Sequence, residues 1–282
     1  MAAFFLGGLL GAVAAPAGER VYGAEPNDSR WTVTSERYLC RLEHPIPQFG
    51  RALFIQPLDG ELRFELHSLR PQQAGSVALR AIPPEWRPGF PIVELGSVRL
   101  SEARQAVTVR DQRSEWLLAE LEEGIYPAIF YPEPAAGRGG VSVVLSGIRF
   151  RPALDRFLEC RAQLLGTNVA ALRAKTVRFA TNKSALGKKE RAALSELAEF
   201  VKSGGEQRKV IIEAHADSRG SARYNQRLSQ KRARAVREFL LQQGVGSHQI
   251  QIATFGENKP VASNRTPSGR AENRRALVRV VN

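Results

Sequence analysis

Residues 210–244 read VIIEAHADSRGSARYNQRLSQKRARAVREFLLQQG, and this stretch decides how the C-terminal half folds. VIIEA (210–214) is a short apolar run with the length and branching of a buried strand. Gly220 then offers a turn, and the pattern changes period. Tyr224, Leu228, Val236, Phe239 and Leu240 fall on one stripe of a helix over 222–243, with Gly244 as its stop. Asn225 and Arg232 are seven residues apart, two helical turns, so they stack on nearly the same face. Asp217 precedes them at the exit of the strand, and the carboxyl ends of strands are common ligand positions in α/β sheets. One anion, one amide and one guanidinium therefore converge on a small patch. A zwitterion would satisfy them, with the guanidinium able to grip a carboxylate through two parallel bonds. The competing reading is a solvated Asp and Arg that pair weakly.

Outward from this stretch, TVRFA (176–180) reads as a strand and 186–201 as a helix ended by Gly204-Gly205. IQIATFG and ALVRVV supply two more strands. The expectation is β-α-β-α-β-β, two helices packed on one mixed sheet, over 161–282. This half is also the basic one. Of the net charge of +13, residues 161–282 hold 24 Lys and Arg against 9 Asp and Glu, a net of +15; the other 160 residues net −2. A polyanionic partner should therefore meet the C-terminal half.

Residues 30–150 read instead as short strands cut by turns. ALFI (52–55) and LRFEL (62–66) flank Asp59-Gly60, a dipeptide suited to a hairpin; SVALRAI, QAVTVR, WLLAEL, YPAIFY and VSVVLSGIRF are further strand candidates. An all-β sandwich or barrel over 24–160 follows, so the whole chain is expected to be α+β with two domains. Residues 151–166 return to helical period, with Leu154, Phe157, Leu158, Leu164 and Leu165 on the apolar face and Pro152 in the first turn.

The apolar run from Ala2 to Ala17 has the length of a secretory signal core, although no Lys or Arg precedes it. Residues 1–23 are expected to be a signal peptide, cleaved after Ala17 or Gly23, and no Cys follows the run to carry a lipid. No later stretch approaches the roughly 18 apolar residues of a membrane span. Export makes a disulfide between the two cysteines, Cys40 and Cys160, the natural expectation, tying the helix over 151–166 back to the start of the β domain.

Rival chemistries are poorly supported. His215-x-Asp217 could supply metal ligands or a general base, but no second ligand pair or nucleophile motif accompanies it, and His44, His67 and His248 are scattered. No metal site, cofactor or enzymatic activity is expected. GRAENRRALVRV could pass for a phosphate-binding stripe, but the apparent export signal and the few aromatics beside its arginines argue against nucleic acid.

HADSRG, then N-x-x-L-S-x-x-R-A from Asn225 to Ala233, then GENKPVASNRTPSGRAENRR (256–275) resemble the OmpA-like peptidoglycan-binding domain over about 175–282. The resemblance implies that Asp217 and Arg232 bind the amine and carboxylate of meso-diaminopimelate. It implies that Asn225, Leu228 and the backbone near Ala216 line the site, and that the closing NRR adds Arg275, with Arg274 left open. Ala216 stands where the family usually has Thr, and Ala180 where it often has Asp nearby. WTVTSERYLCRLEHPIPQFGRALF (31–54) and ALDRFLECRAQLL, each with one Cys, resemble the family of sodium-type flagellar MotY proteins. That resemblance implies a periplasmic ring subunit at the flagellar basal body, with a MotX-like protein and the stator units as partners and the C-terminal domain anchored to peptidoglycan. A general envelope scaffold tethering another assembly to the wall is the alternative, and it differs only in what the β domain binds.

Overall fold

The computed structural model describes residues 19–70, 75–84, 86–100, 105–132 and 140–281. Most of the expected signal peptide lies outside the described residues. The chain forms two compact units: one comprises the described residues up to Gln56 together with Glu61–Gln163, the other Pro57–Gly60 and the chain from Leu164 onward.

The first unit carries ten strands: β1 (Glu19–Tyr22), β2 (Thr32–Glu36), β3 (Leu39–Ile46), β4 (Gly50–Pro57), β5 (Arg63–Ser68), β6 (Gly75–Ile82), β7 (Val93–Leu100), β8 (Gln105–Val109), β9 (Tyr126–Pro132) and β10 (Gly140–Val144). They form two five-stranded sheets, in the orders β1-β10-β9-β6-β7 and β2-β3-β4-β5-β8. Burial alternates along β3, β5 and β6, as the apolar/polar alternation of their sequences requires. The turn between β4 and β5 forms at Asp59-Gly60, where Asp59 takes φ 57°. Trp31, just ahead of β2, stacks on His44 at 4.4 Å, meets the Phe150 ring edge-on and donates from Nε1 to the Ser146 carbonyl at 2.8 Å.

One strand expectation fails. WLLAEL lies inside a helix, α1 (Gln112–Glu122). Asp111 caps its first turn by accepting from the Arg113 amide at 3.0 Å. Leu117, Leu118 and Leu121 bury one side while Trp116 stays 44% exposed. The spacing of Leu117 and Leu121 is helical, and a six-residue window is too short to show it.

The helix expected over 151–166 is α2 (Arg151–Leu165) and carries Cys160. Leu154, Phe157 and Leu164 are buried, but Leu158 and Leu165 are exposed, so the apolar face is narrower than the sequence suggests. Cys160 is disulfide-bonded to Cys40 of β3, with their Cα atoms 6.0 Å apart.

In the second unit, α3 (Val169–Arg173) leads into β11 (Ala174–Arg178). Then follow α4 (Lys188–Ser203), β12 (Lys209–Ala214), α5 (Ala222–Gln242), β13 (Ile250–Thr254), α6 (Pro267–Asn273) and β14 (Arg275–Val281). The sheet order is β11-β14-β12-β13, with β12 parallel to β13 and β14 antiparallel to both its neighbours. The short helices α3 and α6 are additions to the expected pattern. On α5, Leu228, Val236, Phe239 and Leu240 are buried, but Tyr224 is 43% exposed and does not belong to the core stripe. Among the described residues no helix is long and apolar enough to cross a membrane.

Candidate functional site

The site forms where β12 ends. Ala216, 2% exposed, donates its amide to the Gly256 carbonyl at 2.7 Å, fixing the first residues after the strand. Gly220, at φ 94°, turns the chain toward α5, a conformation that favours glycine. Ser221 then caps α5 by accepting from the Tyr224 amide at 3.2 Å. The loop and the helix are thus set by local sequence, and between them they carry Asp217, Asn225, Leu228 and Arg232.

Arg232 is the largest fully buried side chain among the described residues. Its Nε donates to the Lys183 carbonyl at 3.0 Å, Nη1 to the His215 carbonyl at 2.7 Å and Nη2 to the Ala180 carbonyl at 3.3 Å. Its guanidinium also lies over the Phe179 ring, 5.1 Å from the centroid. Burial pulls its pKa down to about 10; the Asp217 charge opposes that fall and the Arg274 charge adds to it. Arg232 therefore cross-links the segment after β11 to the segment after β12, and it supplies positive potential from beneath the site.

The direct partner of Asp217 is Arg274. Arg274 Nη1 donates to Asp217 Oδ2 at 3.0 Å, and its Nε donates to the Phe179 carbonyl at 3.1 Å. Asp217 Oδ1 accepts from the Arg219 amide at 3.2 Å. Arg275, the neighbour favoured from sequence, takes a different direction. Its Nη2 donates to the Lys259 carbonyl at 3.2 Å, its carbonyl accepts from the His215 amide at 2.9 Å, and burial lowers its pKa. The two arginines separate because Arg274 is the C-cap of α6 while Arg275 begins β14.

Asn225 is fully buried and donates from Nδ2 to a Glu257 carboxylate oxygen; its Oδ1 is buried without a protein partner. Leu228 is 8% exposed. Sequence reasoning missed Asn273. It is fully buried, its Oδ1 accepts from the amides of Val261 and Ala262, and its Nδ2 donates to Asn264 Oδ1 at 2.9 Å. Asn264 Oδ1 in turn accepts from the Ser218 amide at 3.3 Å, so the Asn of the NRR motif shapes the wall beside Asp217. The motif was its only signal.

His215 is buried, and its Nδ1 has no hydrogen-bond partner among the described residues. It stacks on Phe255 at 5.2 Å, and its pKa falls to about 4 through burial first, then the charges of Arg275 and Lys259. Among the described residues no three His, Cys, Asp or Glu side chains are placed to hold a metal ion. What the Asp217 site offers is one buried carboxylate beside two guanidiniums, one fully enclosed and one with 15% of its side chain exposed.

Fold and site together define a two-part protein whose second unit is OmpA-like. The family model described as "OmpA family" matches residues 178–274. The model described as "MotY N-terminal domain" matches residues 22–166, more than half of the chain, and the chain belongs to that family. The Sodium-type flagellar protein MotY of Vibrio parahaemolyticus is 29% identical over 261 residues, covering 91% of this chain and 89% of that protein. The Peptidoglycan-associated lipoprotein of Pseudomonas aeruginosa is 37% identical over 107 residues, covering 38% of this chain and 62% of that protein. A crystal structure of the peptidoglycan-associated lipoprotein from Burkholderia pseudomallei is 36% identical, covers 38% of this chain and 90% of that one, and gives a TM-score of 0.37.

Proposed function

We propose that this protein is a periplasmic flagellar motor component that holds peptidoglycan through its second unit and motor proteins through its first. The observation that carries the wall contact is the placement of Asp217 against Arg274, with Arg232 buried beneath, at the exit of β12. In this reading the ammonium of meso-diaminopimelate approaches Asp217. Its carboxylate meets Arg274, the more accessible guanidinium, and the positive potential of Arg232. Ala216, Asn225 and Leu228 line the pocket, and Arg275 contributes only by holding the 259 segment. The likeness to MotY over nine-tenths of the chain supports the motor assignment. On that basis the β-rich unit makes contacts with a MotX-like protein, the basal body and the stator units, as part of a ring.

Deleting the gene and recording swimming tests this choice. Loss of motility with an intact envelope is the expected result. Normal swimming with a damaged envelope would instead establish a general wall-tethered scaffold.

A further inference from the structure

The outer face of α5 carries Arg223, Arg227, Lys231, Arg234 and Arg237. At about 100° per residue these five side chains fall within an arc of about 120°, and all are exposed except the half-buried Arg237. Arg232 lies on the opposite side of the same helix and is fully buried. The helix therefore has two cationic components facing in opposite directions, one built into the Asp217 site and one turned outward.

None of the five outward cations makes a hydrogen bond or ion pair among the described residues. Some cations of this unit do meet carboxylates, Lys175 with Glu196 at 2.7 Å, Arg274 with Asp217 at 3.0 Å and Arg279 with Glu213 at 3.0 Å, whereas the five on this face meet none among the described residues. Glu238 is the single acid on the outer face, and no ion pair joins it to the stripe. Like charges three or four residues apart destabilise a helix, so nothing within the fold rewards this arrangement. A row of cations some 20 Å long, by the helical rise of about 1.5 Å per residue, matches an extended array of anions better than one small anion. The face carries Tyr224 as its only exposed aromatic residue, whereas helices that lie in a membrane interface bury a row of large apolar side chains.

We propose that this face is a second, electrostatic contact with the cell wall, made with free carboxylates of peptide stems on strands other than the one held at Asp217. The choice of polymer rests on the wall-anchoring reading given above. The pocket selects one stem, and the stripe then meets the carboxylates that the surrounding network holds at high local concentration.

The test uses the full chain and a variant in which Arg223, Arg227, Lys231, Arg234 and Arg237 are all changed to Gln, a residue that keeps helix propensity. Binding to purified sacculi is measured at low and high salt, beside binding to a soluble diaminopimelate-containing stem tripeptide. The unaltered protein should lose roughly tenfold in sacculus affinity as salt screens the stripe. The variant should start that much weaker and respond little to salt, while its tripeptide affinity is unchanged. Amidating the sacculus carboxylates should erase the difference between the two proteins.

Equal sacculus affinity and equal salt response for both proteins would overturn the proposal. So would a difference seen with phosphatidylglycerol vesicles and not with sacculi. If neither protein binds the tripeptide while the salt-sensitive difference on sacculi persists, the pocket reading fails and the stripe stands.

Discussion

Asp217 is paired with Arg274 at 3.0 Å, across 57 residues of sequence, while Arg232 bonds only to backbone carbonyls. This divides the work of the site between two arginines. Arg274 is the partner that a ligand can compete with or join, and Arg232 is the strut that holds the surrounding loops in place.

Arg232→Leu should therefore destabilise the second unit by about 3–5 kcal/mol, because three carbonyls lose their donor and Asp217 loses a buried counter-charge. Urea unfolding monitors this directly. The cost follows from complete burial, since a guanidinium on a solvated helix face could be removed with little effect on stability.

The neighbouring arginines should separate in a binding assay. Arg274→Gln should weaken binding of the diaminopimelate tripeptide by roughly 10- to 150-fold, the cost of a charge-assisted contact of about 1.5–3 kcal/mol. Arg275→Gln should change that affinity little and register mainly in thermal stability. Titration calorimetry of both variants makes the comparison.

How much of this was legible in the sequence depends on the range of each interaction. The strand over 210–214 and the long helix announce themselves through local periodicity, and Asp217, Asn225 and Arg232 could be placed from it. The burial of Arg232 could not, because its partners Ala180 and Lys183 lie 52 and 49 residues away and offer only backbone. Arg274 and Arg275 are adjacent in one motif, so their roles separate only once α6 is seen to end and β14 to begin between them. WLLAEL misleads for the opposite reason, since a short apolar run fits either period until Asp111 is seen capping a helix.

His215 gives the second unit a pH dependence. Its folded pKa of about 4 lies below the ordinary 6.5, so the unfolded chain binds the extra proton first as pH falls. The stabilising effect of keeping this imidazole neutral is complete above about 6.5 and is lost progressively as pH drops toward 4. His44 in the first unit, also lowered chiefly by burial, adds a loss of the same sign. Thermal melts between pH 7 and pH 4.5 should show a falling midpoint for the second unit, and His215→Gln should flatten that slope.

Reducing Cys40–Cys160 releases a closure of 120 residues. Chain entropy puts the loss at about 4–5 kcal/mol for a loop of this length. The first unit should unfold at markedly lower denaturant under reducing conditions, and a Cys40→Ser/Cys160→Ser variant should match the reduced protein. The second unit holds no cysteine and serves as the internal control.

The central claim is that Asp217 recognises a wall peptide, and co-sedimentation with purified peptidoglycan tests it most directly. Asp217→Ala should retain the circular dichroism of the unaltered protein and fall at least roughly tenfold in sacculus affinity, as expected for loss of a charge-assisted contact of about 1.5–3 kcal/mol. A folded Asp217→Ala protein that sediments as fully as the unaltered one would contradict the account.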